Sequence, residues 1–540
     1  MLTMAVIQVD ALVVGAGFGG IYQTYQLKKL GLNVRCSEKG GGVGGTWYWN
    51  RYPGAMSDTE AYLYRYSWDK EDLIAYPWTT RYVYQPEILQ YLNHVVDRHD
   101  LRDLIQLHTE MTAAHWDDQL RSWRVVCAEG TVFVARYLLN ALGLLSTPNF
   151  PSLPGLDSYK GRVVHTASWP ADLDLRRKSV GIIGNGSTGV QVMTAIAPVV
   201  GQLTSYQRHP QYSVPAGQKP ISKEYRQHVN ENYDAIYEGV WKSSTGFGVP
   251  EVSTPMMSVS PEERQRIFQS LWDQGNAFRF LNSGFGDIMT NEEANKETCR
   301  FIHSKIDQIV QDPEKARVVK PKELYARRPL CDTGYYQIFN RDNVKIVSLQ
   351  DTPITSIVPE GIQTADGHTH EHDILIFATG FDAVDGSYLR VNIQGRNGET
   401  LKQHWEGGGP NAFAAVAVSG FPNMFIISGP QGPFANFPCA IECEVNFITE
   451  VIKHAEQSST ARIQSQSPKI EVKLEAEEAW KDVCVQATEG SLLKTAASWI
   501  FGENIAGRKP VVKFYFHGLK GYLDMTEEEK ANGFPSFILE

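Results

Sequence analysis

Two glycine-rich turns, 169 residues apart, constrain this chain more than any other feature. Residues 9–14 (VDALVV) form a short apolar, β-branched run that ends on Gly15-Ala16-Gly17-Phe18-Gly19-Gly20, and helical spacing follows from Phe18 to Leu30. The pattern recurs where Ser179–Ile183 (SVGII) leads into Gly184-Asn185-Gly186-Ser187-Thr188-Gly189 and a helix over about 187–197. A strand, a G-x-G-x-x-G turn and a helix in that order can seat a pyrophosphate. The first glycine tightens the turn, the second admits the ligand to the backbone, and the third packs helix on strand, with the helix N-terminus facing the anion. The framework positions are Gly15, Gly17 and Gly20, with Phe18 opening the helix, then Gly184, Gly186 and Gly189, with Ser187 and Thr188 opening the second helix. The implied fold class is α/β, with two dinucleotide-binding (Rossmann-like) domains.

What ends the second strand of each unit separates the two. In the first, the strand over 33–37 ends at Glu38, 18 residues beyond Gly20, where a carboxylate accepts ribose hydroxyls. In the second, the position 19 residues beyond Gly189 is Arg208, whose guanidinium suits a ribose 2′-phosphate; the bland alternative is a solvated surface arginine. One unit thus favours FAD and the other NADPH, which implies a flavoprotein that takes hydride from NADPH. Disulfide reduction, quinone reduction and oxygen activation stay open at this point, although Cys439-x3-Cys443 lacks the spacing of a redox-active pair.

Composition narrows partners and compartment. Over 540 residues the chain carries 51 basic and 61 acidic side chains, a net charge of −10, so it has no footprint for nucleic acid or anionic lipid. Its seven cysteines are scattered without a CxxC, as expected of reduced intracellular thiols, and Met1–Asp10 has no secretory pattern. A cytoplasmic protein, monomeric or weakly self-associating, is expected. Residues 407–441 carry no charge, but prolines, glycines and asparagines interrupt them; they read as buried strands and a site-lining loop, not a membrane span. Between Ile221 and Arg328, helix formers at helical spacing read as an insertion. The expected division is 1–145 plus 381–540 for FAD, 146–220 plus 329–380 for NADPH, and 221–328 for the helical insertion. No metal is expected.

A family resemblance then becomes specific. Tyr159-Lys160-Gly161-Arg162-Val163-Val164-His165-Thr166-Ala167-Ser168-Trp169-Pro170 resembles the F-x-G-x-x-x-H-x-x-x-W-P signature of Baeyer–Villiger monooxygenases, with Tyr159 where the family has Phe. Gly44-Gly45-Thr46-Trp47, Tyr52-Pro53-Gly54 and Asp58 match a second family pattern in order and spacing. Ala326-Arg327-Arg328-Pro329-Leu330-Cys331-Asp332 is similar to the segment bearing the family's active-site arginine. With residues 377–383 (FATGFDA) and 498–502 (SWIFG), the likeness spans nearly the whole chain and lies closest to the cyclohexanone monooxygenase branch.

The resemblance implies that NADPH reduces FAD, O2 adds at flavin C4a, and the resulting peroxyanion attacks a ketone to give an ester or lactone. Such an anion must stay deprotonated and dry, which calls for a fixed cation. By resemblance that cation is Arg328, always charged and with donors in a rigid fork, and Asp58 orients it. Asp58-Thr59-Glu60 also reads as a helix N-cap. Arg327 replaces the branch's usual Lys near the NADPH 2′-phosphate. Thr46, Trp47, Tyr48, Trp49 and Tyr64 match FAD contacts and Trp499 a nicotinamide-cofactor contact; Gly45, Met111 and Gln191 join the cofactor-binding set. His165 sits on the family's interdomain linker and takes a structural role, and the extra hydroxyl of Tyr159 needs a partner if buried. Residues 429–442 resemble the branch's substrate-loop sequence but differ at Gln431, Ala435, Phe437, Cys439 and Ala440. The expected ketone pocket is lined by Leu144, Leu145, Phe247, Phe434, Ala435, Phe437 and Phe514. The alternatives are a flavin N- or S-monooxygenase and a catalytically silent flavoprotein.

Overall fold

The computed structural model describes residues 6–457, 467–505 and 507–540; the N-terminal reading therefore rests partly on residues 1–5, outside the described residues. The first glycine turn joins strand β1 (Val6–Val14) to helix α1 (Phe18–Lys29), and strand β2 (Val34–Ser37) follows. Ala11, Leu12 and Val13 are fully buried, as a β-branched run flanked by parallel neighbours requires. β1 pairs in parallel with β2 on one side and with Val132–Asn140 on the other, inside an eight-stranded mixed sheet. Two late strands, Asn392–Gln394 and Met424–Ile426, complete it, so chain from far downstream closes the first sheet.

The second sheet is all parallel, in the order Val344–Ser348, Gln202–Gln207, Ser179–Ile183, Ile374–Phe377, Arg162–His165. The helix after its glycine turn spans Ser187–Ile196. The third glycine does the same work in both turns: a Cβ on Gly20 would lie 1.7 Å from the Gly15 carbonyl oxygen, and one on Gly189 would lie 2.3 Å from that of Gly184.

Helices Lys223–Lys242, Pro261–Gln274, Ala277–Asn282, Glu292–Ile309 and Pro313–Val319 fill the interval between strands Ser213–Pro215 and Leu330–Asp332, and no strand intervenes among the described residues. Ser222, Ser260, Asn291 and Asp312 cap four of them by accepting backbone N–H bonds in the first turn. Phe268, Phe280 and Phe301 pack centrally, with centroids 5.1–6.0 Å apart, in the same apolar core as the second sheet. Burying one such ring contributes about 1.5–3 kcal/mol.

One expectation needs correction. The uncharged stretch 407–441 contains the short strands Met424–Ile426 and Gly432–Pro433, but from Phe437 it is the start of a helix running to Gln457. Pro438 is tolerated in that first turn because its missing N–H would have no helical partner there. No described helix is long and apolar enough to cross a membrane.

Candidate active site

The turn after β1, the segment 44–49 with its short helix Thr46–Trp49, and the segment 141–148 surround a cavity of ≈ 380 Å³. Gly15, Gly17, Phe18, Glu38, Gly45, Thr46, Trp47, Trp49, Tyr64 and Met111, all expected at FAD, line it, and so do Leu144, Leu145 and Phe437. Gly20 lies behind the wall, packed on Gly15. Gly17 and Gly45 face each other so closely that a Cβ on Gly45 would sit 2.8 Å from the Gly17 Cα. Glu38 is 4% exposed, and its two carboxylate oxygens accept from the Ala16 N–H at 2.8 Å and the Gly40 N–H at 2.7 Å. Each oxygen keeps a lone pair for a further donor. The buried Ser37 hydroxyl on the same wall has no partner among the described residues. A glycine cradle, a fixed carboxylate and an orphaned hydroxyl in one slot fit a dinucleotide. Trp47 donates its indole N–H to Tyr64 at 3.1 Å, and Phe18 packs edge-on to Tyr64 at 5.5 Å, which stiffens the aromatic wall.

The second turn is built alike but left open. Gly186 is exposed, and a Cβ there would meet nothing within 4 Å. Asn185 ties the turn to the end of strand Gln202–Gln207 by donating to Gln207 Oε1 at 3.2 Å and to the His209 carbonyl at 3.1 Å. Arg208 is exposed there and has no side-chain partner among the described residues. Free N–H groups at a helix start beside an uncommitted guanidinium fit a phosphorylated nucleotide.

The predicted charged pair forms at the end of the segment 52–58, which is held against the second glycine helix through Gln191. Arg328 stands two residues before strand Leu330–Asp332, which pairs in parallel with Ser213–Pro215. The Asp332 carboxylate locks the turn beyond by accepting from the Ser213 hydroxyl at 2.5 Å and the Gly334 and Tyr335 N–H groups at 2.7 Å. Arg328 donates through both terminal nitrogens to the two oxygens of Asp58, 270 residues away in sequence; the Nη2–Oδ1 bond is 3.1 Å. Burial opposes the guanidinium charge, but Asp58 more than offsets it, so the Arg328 pKa lies above that of a free arginine. The helix-cap reading of Asp58 is wrong: residues 58–69 are irregular, and the next helix, Lys70–Ala75, is capped by Asp69. The Arg328 pair uses the side chain that a cap would have needed.

Gln191 proves to be a clamp. From the second glycine helix it accepts from Tyr52 at 2.9 Å and donates to the Met56 carbonyl at 3.1 Å, fixing the segment that leads to Asp58. Arg327 turns from Arg328 to pair with Glu323 at 2.5 Å and donates to the Ala497 carbonyl at 3.0 Å, two residues before Trp499.

The residues expected to line one ketone pocket divide into three groups. Leu144, Leu145, Phe434, Phe437, Phe514 and Trp499 form one apolar cluster, with Phe514 5.6 Å from Trp499 and 5.3 Å from Phe434. Ala435 packs into the core around α1 instead. Phe247 stacks on Phe278 at 3.4 Å, and Phe278 lies 5.2 Å beneath the Arg328 guanidinium. Phe278 was missed because an A-F-R-F run inside a helical segment carries no local signal of a site. Tyr159 finds its partner, donating to the His372 carbonyl at 2.7 Å. His165 ends the edge strand of the second sheet, buried against Phe150 and Phe381, and burial holds its pKa below the ordinary histidine value.

The comparisons with known proteins agree with this geometry. Residues 12–242 match the family model described as pyridine nucleotide-disulphide oxidoreductase. The cyclohexanone 1,2-monooxygenase of an Acinetobacter sp is 44% identical over 532 residues, covering 98% of this chain and 96% of that protein. The chain belongs to the Baeyer–Villiger monooxygenase family. Within that family it falls in the cyclohexanone monooxygenase branch. The crystal structure of the Rhodococcus sp. Phi1 cyclohexanone monooxygenase bound to NADP+ superposes with a TM-score of 0.96 at 48% identity, covering 99% of this chain and 100% of that one. A phenazine N-monooxygenase of Lysobacter antibioticus is also similar, 46% identical over 98% of this chain and 97% of that protein. This Baeyer–Villiger monooxygenase is an FAD-dependent enzyme that uses NADPH and O2.

Proposed function

We propose that the enzyme oxidises cyclic and related apolar ketones to lactones or esters, with Arg328 as its catalytic cation and Asp58 as the residue that positions it. When bound, the flavin takes hydride from NADPH and activates O2 for transfer of one oxygen atom to the ketone. The chain supplies the surroundings. Gly15, Gly17, Gly45 and Glu38 seat the FAD, with Thr46, Trp47, Trp49, Tyr64 and Met111 along its length. Gly184, Gly186, Ser187, Thr188, Arg208 and Arg327 take the NADPH phosphates. Arg328 holds its charge without releasing a proton, and the N–H groups that Asp58 does not take are the donors for negative charge that develops on oxygen. The apolar cluster around Phe434, Phe437 and Phe514 excludes water and selects by shape; a one-carbon change in such a wall alters discrimination by only about 1–3 kcal/mol, so a range of ketones is accepted.

The observation that carries this reading is the two-pronged Arg328–Asp58 pair, which joins residues 270 apart in the sequence. The same observation speaks against a silent flavoprotein, which has no use for a half-buried oriented cation. The division into 1–145 plus 381–540, 146–220 plus 329–380, and 221–328 is the domain organisation we propose, supported by which strands enter each sheet. A cytoplasmic location is supported by seven buried thiols outside any disulfide.

Arg328→Ala tests the assignment: flavin content and reduction by NADPH should persist while lactone formation falls by at least about a hundredfold, the scale of losing one catalytic charge donor. Ester made at an undiminished rate would refute it. N-oxidation is the second reading, favoured by the 46% identity to a phenazine N-monooxygenase. It predicts turnover of an aromatic N-heterocycle with no ester or lactone formed from any ketone.

A further inference from the structure

The two arginines assigned to the NADPH 2′-phosphate are in unequal states. Arg208 is exposed and unpartnered among the described residues. Arg327 is already neutralised: its Nη2 lies 2.5 Å from Glu323 Oε2. The other oxygen of that carboxylate lies 2.7 Å from Nδ1 of His209, the residue next to Arg208. Glu323 is anchored from below, because its backbone carbonyl accepts from the Tyr212 hydroxyl at 2.8 Å. Its carboxylate thus bridges the end of strand Gln202–Gln207 to the Arg327–Arg328 segment, across a groove lined by Gln211, Tyr212, Glu323, Arg327 and Arg328. A carboxylate whose two oxygens each face a nitrogen donor takes the acceptor role that a phosphate would take there.

We infer that Glu323 is a specificity-tuning residue, an internal anion that occupies part of the 2′-phosphate subsite and must yield Arg327 when NADPH binds. This rests on the proposal that Arg208 and Arg327 receive that phosphate. A phosphate monoester brings a charge of about −1.5 to −2. Within reach of Arg327 it meets the Glu323 carboxylate in a groove only partly open to water, where the side-chain exposures of Glu323 and Arg327 are 33% and 15%. Both anions cannot keep the same guanidinium without a like-charge cost, so binding exchanges one ion pair for another. The exchange weakens retention of the phosphorylated cofactor and eases release of NADP+. A nucleotide without the 2′-phosphate leaves the Glu323 bridge in place and is indifferent to it.

The experiment uses the FAD-loaded enzyme and isothermal titration with adenosine 2′,5′-bisphosphate and with 5′-AMP, which differ by the one phosphate. Glu323→Gln keeps the shape and removes the charge; it should bind the bisphosphate about tenfold tighter, in line with the removal of one close like charge, with 5′-AMP binding unchanged. Glu323→Ala should shift in the same direction, and flavin absorbance with thermal unfolding verifies the fold of either variant. In the steady state, the ratio of KM for NADH to KM for NADPH should rise in parallel. Unchanged or weaker bisphosphate binding in both variants would overturn the inference and make Glu323 a support for Arg327. Arg208→Ala, titrated alongside, tests the underlying reading separately: if it leaves bisphosphate binding intact, the subsite itself is misplaced.

Discussion

At the first glycine turn the acid that follows β2 is buried and fixed by one backbone N–H on each oxygen, and Gly17 touches Gly45 across the slot. At the second, the equivalent strand ends in an exposed arginine, the middle glycine looks into open space, and a second cation is held by an internal carboxylate. The same strand-turn-helix unit therefore serves two purposes. The first is a finished seat for a resident cofactor, closed by aromatic rings from residues 47–66; the second is an exchange site, where a ligand comes and goes and its phosphate competes with a built-in anion. Preorganisation lowers the cost of binding, and leaving part of that cost unpaid keeps release fast.

The largest effect that would break this contrast comes from the glycines. Gly20→Ala would push a methyl to 1.7 Å from the Gly15 carbonyl, so it should yield protein without flavin. Gly186→Ala has room for its methyl at an ordinary φ of −71° and should keep flavin and fold while losing NADP+ affinity, about tenfold, through the methyl's intrusion on the phosphate. Absorbance of the bound flavin and NADP+ titration measure the two, and equal flavin contents would erase the distinction.

Next, Arg208→Ala should raise KM for NADPH about tenfold to a hundredfold, the equivalent of losing charge-assisted hydrogen bonds worth about 1.5–3 kcal/mol, with KM for NADH unmoved. Smaller is the loss expected from Gln191→Leu, which frees the Tyr52 hydroxyl and the Met56 carbonyl that hold the Asp58 segment. Both nucleotides should still bind, but about a fivefold to tenfold fall in product formed per NADPH consumed should appear, as expected when a buried polar group is left unpaired at a cost of about 1–3 kcal/mol.

The smallest effect concerns buried carboxylates beside the first site. Burial raises Glu444 to about 8 and Glu442 to about 7, and Glu444 accepts from the Ser428 N–H at 2.6 Å. An unfolded glutamate loses its proton near pH ~4.3, so between that value and the raised folded one the unfolded state releases a proton that the folded state keeps. Stability supplied by the protonated form is thus complete at low pH and lost as pH rises through the folded value. Glu444→Gln removes this dependence. Its Tm should exceed that of the wild type by a widening margin from pH ~5 to ~8, on the order of a few degrees. A margin independent of pH would show that Glu444 stays charged in the fold.

Much of the frame was legible because local chemistry carried it. Gly15 to Gly20 and Gly184 to Gly189 announced their turns, and Glu38 and Arg208 fell where the strands place them. What local pattern could not carry was long-range. The Phe278 ring reaches Arg328 only because the helix Ala277–Asn282 packs on strand Ser213–Pro215, the parallel partner of Leu330–Asp332. Nothing local in the sequence marks Glu323; the fold sets it between His209 and Arg327. Asp58 looked like a helix cap because capping residues and ion-pair partners share the same side chain, and only the missing helix separates them. Gln191, expected at the cofactor, is turned toward Tyr52 and Met56 by a docking of segments that spacing along one helix does not encode.

The central claim is that this chain transfers one oxygen atom from O2 into a ketone. The direct test is to supply the purified FAD-loaded enzyme with NADPH, cyclohexanone and isotopically labelled O2, and to identify the product by mass spectrometry. The account predicts caprolactone carrying a single labelled oxygen, formed in step with NADPH oxidation by the wild type and lost in Arg328→Ala. Sulfoxide from a thioether or N-oxide from a heterocycle, with no lactone from any cyclic ketone, would contradict it.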